Sequence, residues 1–200
     1  MSTPKLERAG NARLGACAAP VEGFPAVAAF LITGNPGSGK TTIAQELLRR
    51  GLIAVDADET AHWETTSGVP VEQPVHASDE WLLGHRWVWS RPRIEHVIGP
   101  HVAAGRHIFL CGIAMNQRDM FDLFAIVFLL SIDHETQLRR LDTPDNADRN
   151  AAQRTQILDG RATFEREMRA AGAVVLDGSR PTSELAGRIH DEVSRLRRPR

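Results

Sequence analysis

The chain is poor in lysine. Of its 24 basic side chains only Lys5 and Lys40 are lysines, and the other 22 are arginines. Cysteine is equally scarce. Cys17 and Cys111 are too few and too far apart for a disulfide framework, which points to a reducing, cytoplasmic setting. No apolar run approaches the length of a membrane span, so no membrane partner is expected. The N-terminus lacks the basic-then-apolar pattern of a secretory signal. A net charge of −1 gives no basic surface for a nucleic-acid partner. The eight histidines fall at no metal-ligand spacing, and no internal repeat is present. What remains is a 200-residue chain with 42% hydrophobic and 24% charged residues, which suits one globular domain, monomeric or homodimeric.

Residues 1–25 lack periodicity and carry Pro4, Gly10, Gly15, Pro20, Gly23 and Pro25, so a flexible N-terminal extension is expected before a domain over 26–200. Short apolar runs at 28–33, 52–56, 108–111, 125–132 and 173–176 read as buried strands. Helical patterns lie between them, at 41–50, broadly at 81–104 with breaks near Pro92 and Pro100, and at 134–141, 151–171 and 183–196. Apolar strands alternating with helices predict an α/β fold, a parallel sheet covered on both faces. Ligands then sit beyond the carboxyl ends of the strands.

The folded region's only lysine lies at the end of the first such strand. The stretch reads Gly34-Asn35-Pro36-Gly37-Ser38-Gly39-Lys40-Thr41, followed by Thr42. Its glycines let backbone N–H groups turn inward around phosphate oxygens, and the following helix adds its positive end. A compact ammonium fits among those oxygens where a planar guanidinium would not. The segment therefore predicts a nucleoside triphosphate site. Lys40 is expected on the β- and γ-phosphates and the Thr41 hydroxyl on Mg²⁺.

Asp56 and Asp58 end the second strand, sixteen and eighteen residues after Lys40. Two readings are open. One carboxylate holds magnesium while the other accepts a proton from an attacking hydroxyl, or one of them caps a helix beginning near Glu59.

A phosphate loop followed at this spacing by Val55-Asp56-Ala57-Asp58 resembles the shikimate and gluconate kinase branch of the small P-loop kinases, relatives of the nucleoside monophosphate kinases. The resemblance implies a three-layer P-loop NTPase fold with a five-stranded parallel sheet in the order 2-3-1-4-5. It implies MgATP as the phosphoryl donor. It gives Asp56 to magnesium and makes Asp58 the substrate binder and base. It implies a lid at about 142–150, with Arg149 closing over the phosphates and Arg140 stacking on adenine. It also implies an adenine-wrapping turn at Asp177-Gly178-Ser179-Arg180-Pro181, where Ser179 and Pro181 would flank the base. The chain departs from shikimate kinases after the third strand, where Cys111-Gly112-Ile113-Ala114 replaces a run of glycines, and only Gly112 allows close backbone approach to a substrate.

Three further features carry two readings each. The cluster His85-Arg86-Trp87-Val88-Trp89 with Arg91 and Arg93 either recognises an anionic or aromatic acceptor, Arg86 before Arg93, or combines core tryptophans with solvated arginines. The arginines around 142–150 either form a lid or an exposed helix surface. Ile126 to Asp133 resembles a magnesium-binding strand, but Asp133 is expected to cap the next helix. The leading expectation is an ATP-dependent kinase acting on a hydroxyl of a small metabolite or nucleoside. Its rivals are a nucleoside monophosphate kinase and a nucleotide-dependent switch or assembly ATPase. No guanine-reading Asn-Lys-x-Asp pattern is present.

Overall fold

The computed structural model describes residues 28–143 and 151–196. The expected N-terminal extension and most of the expected lid, Arg149 included, lie outside the described residues. In chain order the elements are β1 (Ala29–Thr33), α1 (Lys40–Arg49), β2 (Ile53–Asp56), β3 (Ala61–Thr65), β4 (Pro70–Val71), α2 (Asp79–Gly84), β5 (His85–Trp89), α3 (Arg91–Ala103), β6 (Ile108–Cys111), β7 (Ile126–Ser131), α4 (His134–Leu141), α5 (Ala151–Ala170), β8 (Val174–Asp177) and α6 (Thr182–Arg195). Short 3-10 turns occupy Ala57–Thr60 and Gln117–Leu123.

Five strands make one parallel sheet in the order β2-β6-β1-β7-β8. Numbered among themselves they run 2-3-1-4-5, the expected order. Side chains alternate across this sheet with period two. On one face Leu31, Leu110 and Leu129 pack with Ile94 of α3 and Met168 of α5. On the other, Phe30, Ile32 and Phe128 pack with Ile43 and Leu47 of α1 and Ile189 and Val193 of α6. Each of β1, β6 and β7 is apolar on both faces because each has helices on both faces.

A second sheet was not expected. Strands β4-β3-β5 pair antiparallel between β2 and β6, with Trp63 opposite Trp87 and Glu64 opposite Arg86. The sequence pattern predicts a helix broadly over 81–104, with breaks near Pro92 and Pro100, which would include β5 (His85–Trp89). The structure corrects that. His85–Trp89 alternates bulky rings with Arg86 and Val88, the side-chain pattern of a pleated strand. Pro92 lies in the first turn of α3, where no intrahelical N–H is needed. Pro100 falls in its last turn and removes one hydrogen bond without ending the helix.

The segment after β6 fastens the small sheet to the large one. Met115 donates its backbone N–H to Trp87 O at 2.9 Å. The Asn116 side chain accepts from Trp89 N at 2.9 Å and donates to Trp89 O at 2.9 Å, taking the place of a neighbouring strand. Arg91 then grips Asp122 with both guanidinium nitrogens, at 3.0 and 2.7 Å.

Candidate active site

The phosphate loop leaves β1 at Gly34 and enters α1 at Lys40. A side chain at Gly34 would meet Leu130 O and the Ser38 hydroxyl at 2.6 Å, so only glycine fits there. Gly37 and Gly39 have φ of 82° and 100°, the left-handed region that turns successive N–H groups inward. Lys40 Nζ lies over the loop and donates to Gly34 O at 2.7 Å and Asn35 O at 3.3 Å. The Asn35 side-chain amide nitrogen and the Ser38 hydroxyl are buried with no hydrogen-bond partner among the described residues. Orphaned polar atoms beside a lysine and a helix N-terminus are what an oxyanion group would satisfy. Thr41 and Thr42 are exposed on the first turn of α1.

Two elements brace this loop from outside. Gln137 of α4, fully buried, donates to Pro36 O at 3.1 Å. Arg140, one turn further on, donates to Gly37 O and to Gly178 O, both at 3.1 Å. Its guanidinium thus ties the phosphate loop to the turn after β8. That turn is pressed close, since a side chain at Gly178 would meet Ser38 O at 2.8 Å. Asp177 shapes it, accepting from the Ser179 N–H at 3.0 Å and the Ser179 hydroxyl at 2.6 Å. Those bonds to Ser179 hold the Asp177 carboxyl below the usual carboxylate range. Ser179 and Pro181 are exposed beside Arg140's anchor.

The acidic pair lies at the end of β2. Asp56 accepts from the Asp58 N–H at 2.9 Å and caps the 3-10 turn Ala57–Thr60, in place of the helix expected near Glu59. Asp56 is thus a cap, on a 3-10 turn, and its side chain is exposed. Asp56 is level with Cys111 on β6, which is level with Ile32 on β1. Two strand spacings, about 10 Å, thus separate Asp56 from the strand that carries the phosphate loop. Burial pushes the Cys111 thiol up to about 12, Asp56 adds to this, and Lys40 acts against it. The lysine and the aspartate both act on that one buried sulfur.

Asp58 is exposed beside Gly112. The space a side chain at Gly112 would take is filled by Ala57 at 2.8 Å, Trp89 at 3.2 Å and Asp58 Oδ1 at 3.3 Å. Glycine here lets the acidic turn nest against the end of β6. The sequence paired Asp58 and Gly112 through a common substrate; in the structure the two are neighbours, with Asp58 bordering the space a side chain at Gly112 would take. Among the described residues no three His, Cys, Asp or Glu gather as metal ligands. A threonine hydroxyl and one or two carboxylates still suit Mg²⁺, which takes its remaining oxygens from phosphates and water.

The arginine and tryptophan cluster separates into parts. Arg86 faces its cross-strand neighbour Glu64 at 3.4 Å. Arg91 is held by Asp122. Arg93 has no hydrogen bond or ion pair among the described residues, so the order of preference between Arg86 and Arg93 has no support in their contacts. Trp89 is core, with 2% of its surface exposed. Trp63, Trp81 and Trp87 are half-buried, with Trp63 5.2 Å from Trp81 and 5.3 Å from Trp87, and His85 stacks on Trp81 at 4.1 Å. Asp133 caps α4 through the Thr136 N–H and hydroxyl, as expected. Arg154 pairs with Asp142 at 2.8 Å.

Sequence reasoning missed Gln137 and Asn116. The signal for Gln137 was its position three residues before Arg140 on one helix face. For Asn116 there was no local signal, because its role depends on a strand 27 residues away.

No protein-family model matches the chain. It is similar to the dephospho-CoA kinase of Geobacter sulfurreducens, at 25% identity over 188 residues, covering 80% of this chain and 94% of that protein. Among solved structures it is similar to shikimate kinase from Acinetobacter baumannii in complex with shikimate, with a TM-score of 0.57 and 19% identity over 85% of this chain and 94% of that one. A gluconokinase from Sinorhizobium meliloti gives a TM-score of 0.51 at 14% identity, covering 86% and 94%. Sheet order, phosphate loop and these likenesses together show that the chain has the fold of the small P-loop kinases.

Proposed function

We propose that the chain transfers the γ-phosphoryl group of MgATP to a hydroxyl of a small metabolite. One observation carries this reading: the Lys40 loop and the exposed Asp58 carboxylate stand at the same end of the sheet, with Asp58 seated on Gly112. Lys40 exchanges the carbonyls of Gly34 and Asn35 for oxygens of the β- and γ-phosphates. The inward-turned N–H groups of the loop and the Ser38 hydroxyl take up the rest of that charge. Thr41 and Asp56 would hold the magnesium ion, which neutralises charge on the phosphates when bound. Asp58 accepts the proton of the attacking hydroxyl as the new P–O bond forms, and ADP departs with the electron pair of the broken bond. Arg140 and the Gly178–Pro181 turn border the place for the base. Arg149 would close over the phosphates.

A phosphate acceptor is the second reading, and two of the arginines it would need are already engaged. Arg86 faces Glu64 and Arg91 faces Asp122. The chain's relatives act by name on dephospho-CoA, and its structural neighbours on shikimate and gluconate. The test is ATP consumption measured against dephospho-CoA, shikimate, gluconate, nucleosides and nucleoside monophosphates. A hydroxyl compound should raise turnover, and Asp58→Asn should lower kcat about 100–10,000-fold with nucleotide affinity kept. Turnover with a monophosphate that survives Asp58→Asn would transfer the assignment to the second reading.

A further inference from the structure

We infer that the outer side of the acidic turn carries a second ligand site, for a small organic anion with an apolar body. A cleft of about 470 Å³ opens between the Ala57–Thr60 turn, the edge strand β2 and helix α3. This is within the range of small-molecule pockets, about 300–1,000 Å³. Val55, Pro92 and Val97 supply its apolar walls, and Glu59, Arg93 and His96 its polar groups. Neither Lys40 nor Asp58 lines it.

The argument turns on what these three polar groups do not touch. Glu59, Arg93 and His96 share one cleft, yet none has a hydrogen bond or ion pair among the described residues. Other arginines on the same surface find carboxylates: Arg91 takes Asp122, and Arg86 takes Glu64. Arg93 stands one turn from His96 on the same face of α3, and both line the cleft. Arg93 is exposed at this cleft, where its guanidinium offers a charge-assisted bond to a carboxylate or phosphate. Glu59 opposes such an anion and sets a limit on its affinity. Successive residues of a 3-10 turn point about 120° apart, so Asp58 and Glu59 face different sides of one short turn. A ligand in the cleft therefore presses on the segment that carries Asp58 without entering the groove beside Lys40.

The probe is phenyl phosphate, with benzyl alcohol as its neutral counterpart, titrated onto the full chain and followed by ¹H–¹⁵N spectra. Saturable shifts are expected at the amides of Glu59, Thr60, His96 and Val97, and saturating MgADP should not displace them. Benzyl alcohol should bind at least about tenfold more weakly, and Arg93→Gln should weaken phenyl phosphate by about tenfold. Glu59→Gln should tighten it two- to threefold, by roughly the loss of one opposing charge at partial exposure. Arg93 is exposed and has no partner among the described residues, so Arg93→Gln should melt with the parent. Shifts that are absent, that centre on the phosphate loop and vanish with MgADP, or that persist unchanged in Arg93→Gln would each overturn the site. These readouts need no turnover, so they stand apart from the fate of the kinase assignment.

Discussion

The phosphate loop and the acidic turn face the same end of one sheet but are held there by different means. The loop is braced by side chains that reach its backbone, with Gln137 on Pro36 O and Arg140 on Gly37 O. The turn is braced by shape, through Ala57 and Trp89 filling the space left by Gly112. Behind the turn, the small sheet is tied on by the Met115 N–H, the Asn116 side chain and the Arg91 fork. The proposed donor half is thus fixed by directed hydrogen bonds to the loop's own backbone. The proposed acceptor half is fixed by packing and by a fastening remote from it.

That contrast can be broken in steps. Lys40→Ala strikes the chemistry itself and should cost about 100–1,000-fold in phosphoryl transfer, along with nucleotide affinity, read by coupled ADP release and equilibrium binding. A variant that kept both within threefold would mean the loop does not cradle phosphate. Asn116→Ala strikes the fastening. It leaves Trp89 without two backbone partners and should lower stability by about 2–3 kcal/mol in urea unfolding, with the KM for acceptor rising more than the KM for ATP. Gln137→Ala strikes the loop's brace. It should lower stability by about 1–2 kcal/mol and show the reverse preference, with the KM for ATP rising first. Equal effects of these two variants on both substrates would erase the distinction between the halves. Arg86→Gln removes a partly exposed cross-strand pair and should change stability by less than about 1 kcal/mol.

The donor half was legible in the sequence because its determinants are local. Eight consecutive residues encode the loop, and each apolar run encodes a strand whose neighbours follow from the fold class. Asp133 was legible as a cap, and capping was one of the two readings of the Asp56–Asp58 pair, because local spacing decides a cap. The acceptor half was not. Trp63 opposite Trp87 and Glu64 opposite Arg86 are pairings across more than twenty residues, set by register rather than by a motif. Pro92 and Pro100 were read as breaks because a proline's meaning depends on its place in the helix. Arg86 looked available as a substrate reader only because its cross-strand carboxylate could not be seen. Gly112 offered an accurate hint for a different reason. A missing side chain next to an acidic turn means close approach, and here what approaches is the turn itself.

The edges of the small sheet have one more consequence. On its outer side β4 is two residues long and begins with Pro70, which has no N–H to offer. On the other side, the carbonyls of Trp87 and Trp89 and the Trp89 N–H are already taken by Met115 and Asn116. A strand from another molecule would find few open backbone groups on either margin. The tryptophan-rich sheet is therefore protected against strand-on-strand aggregation, and any association of two copies through it must rely on side-chain contact.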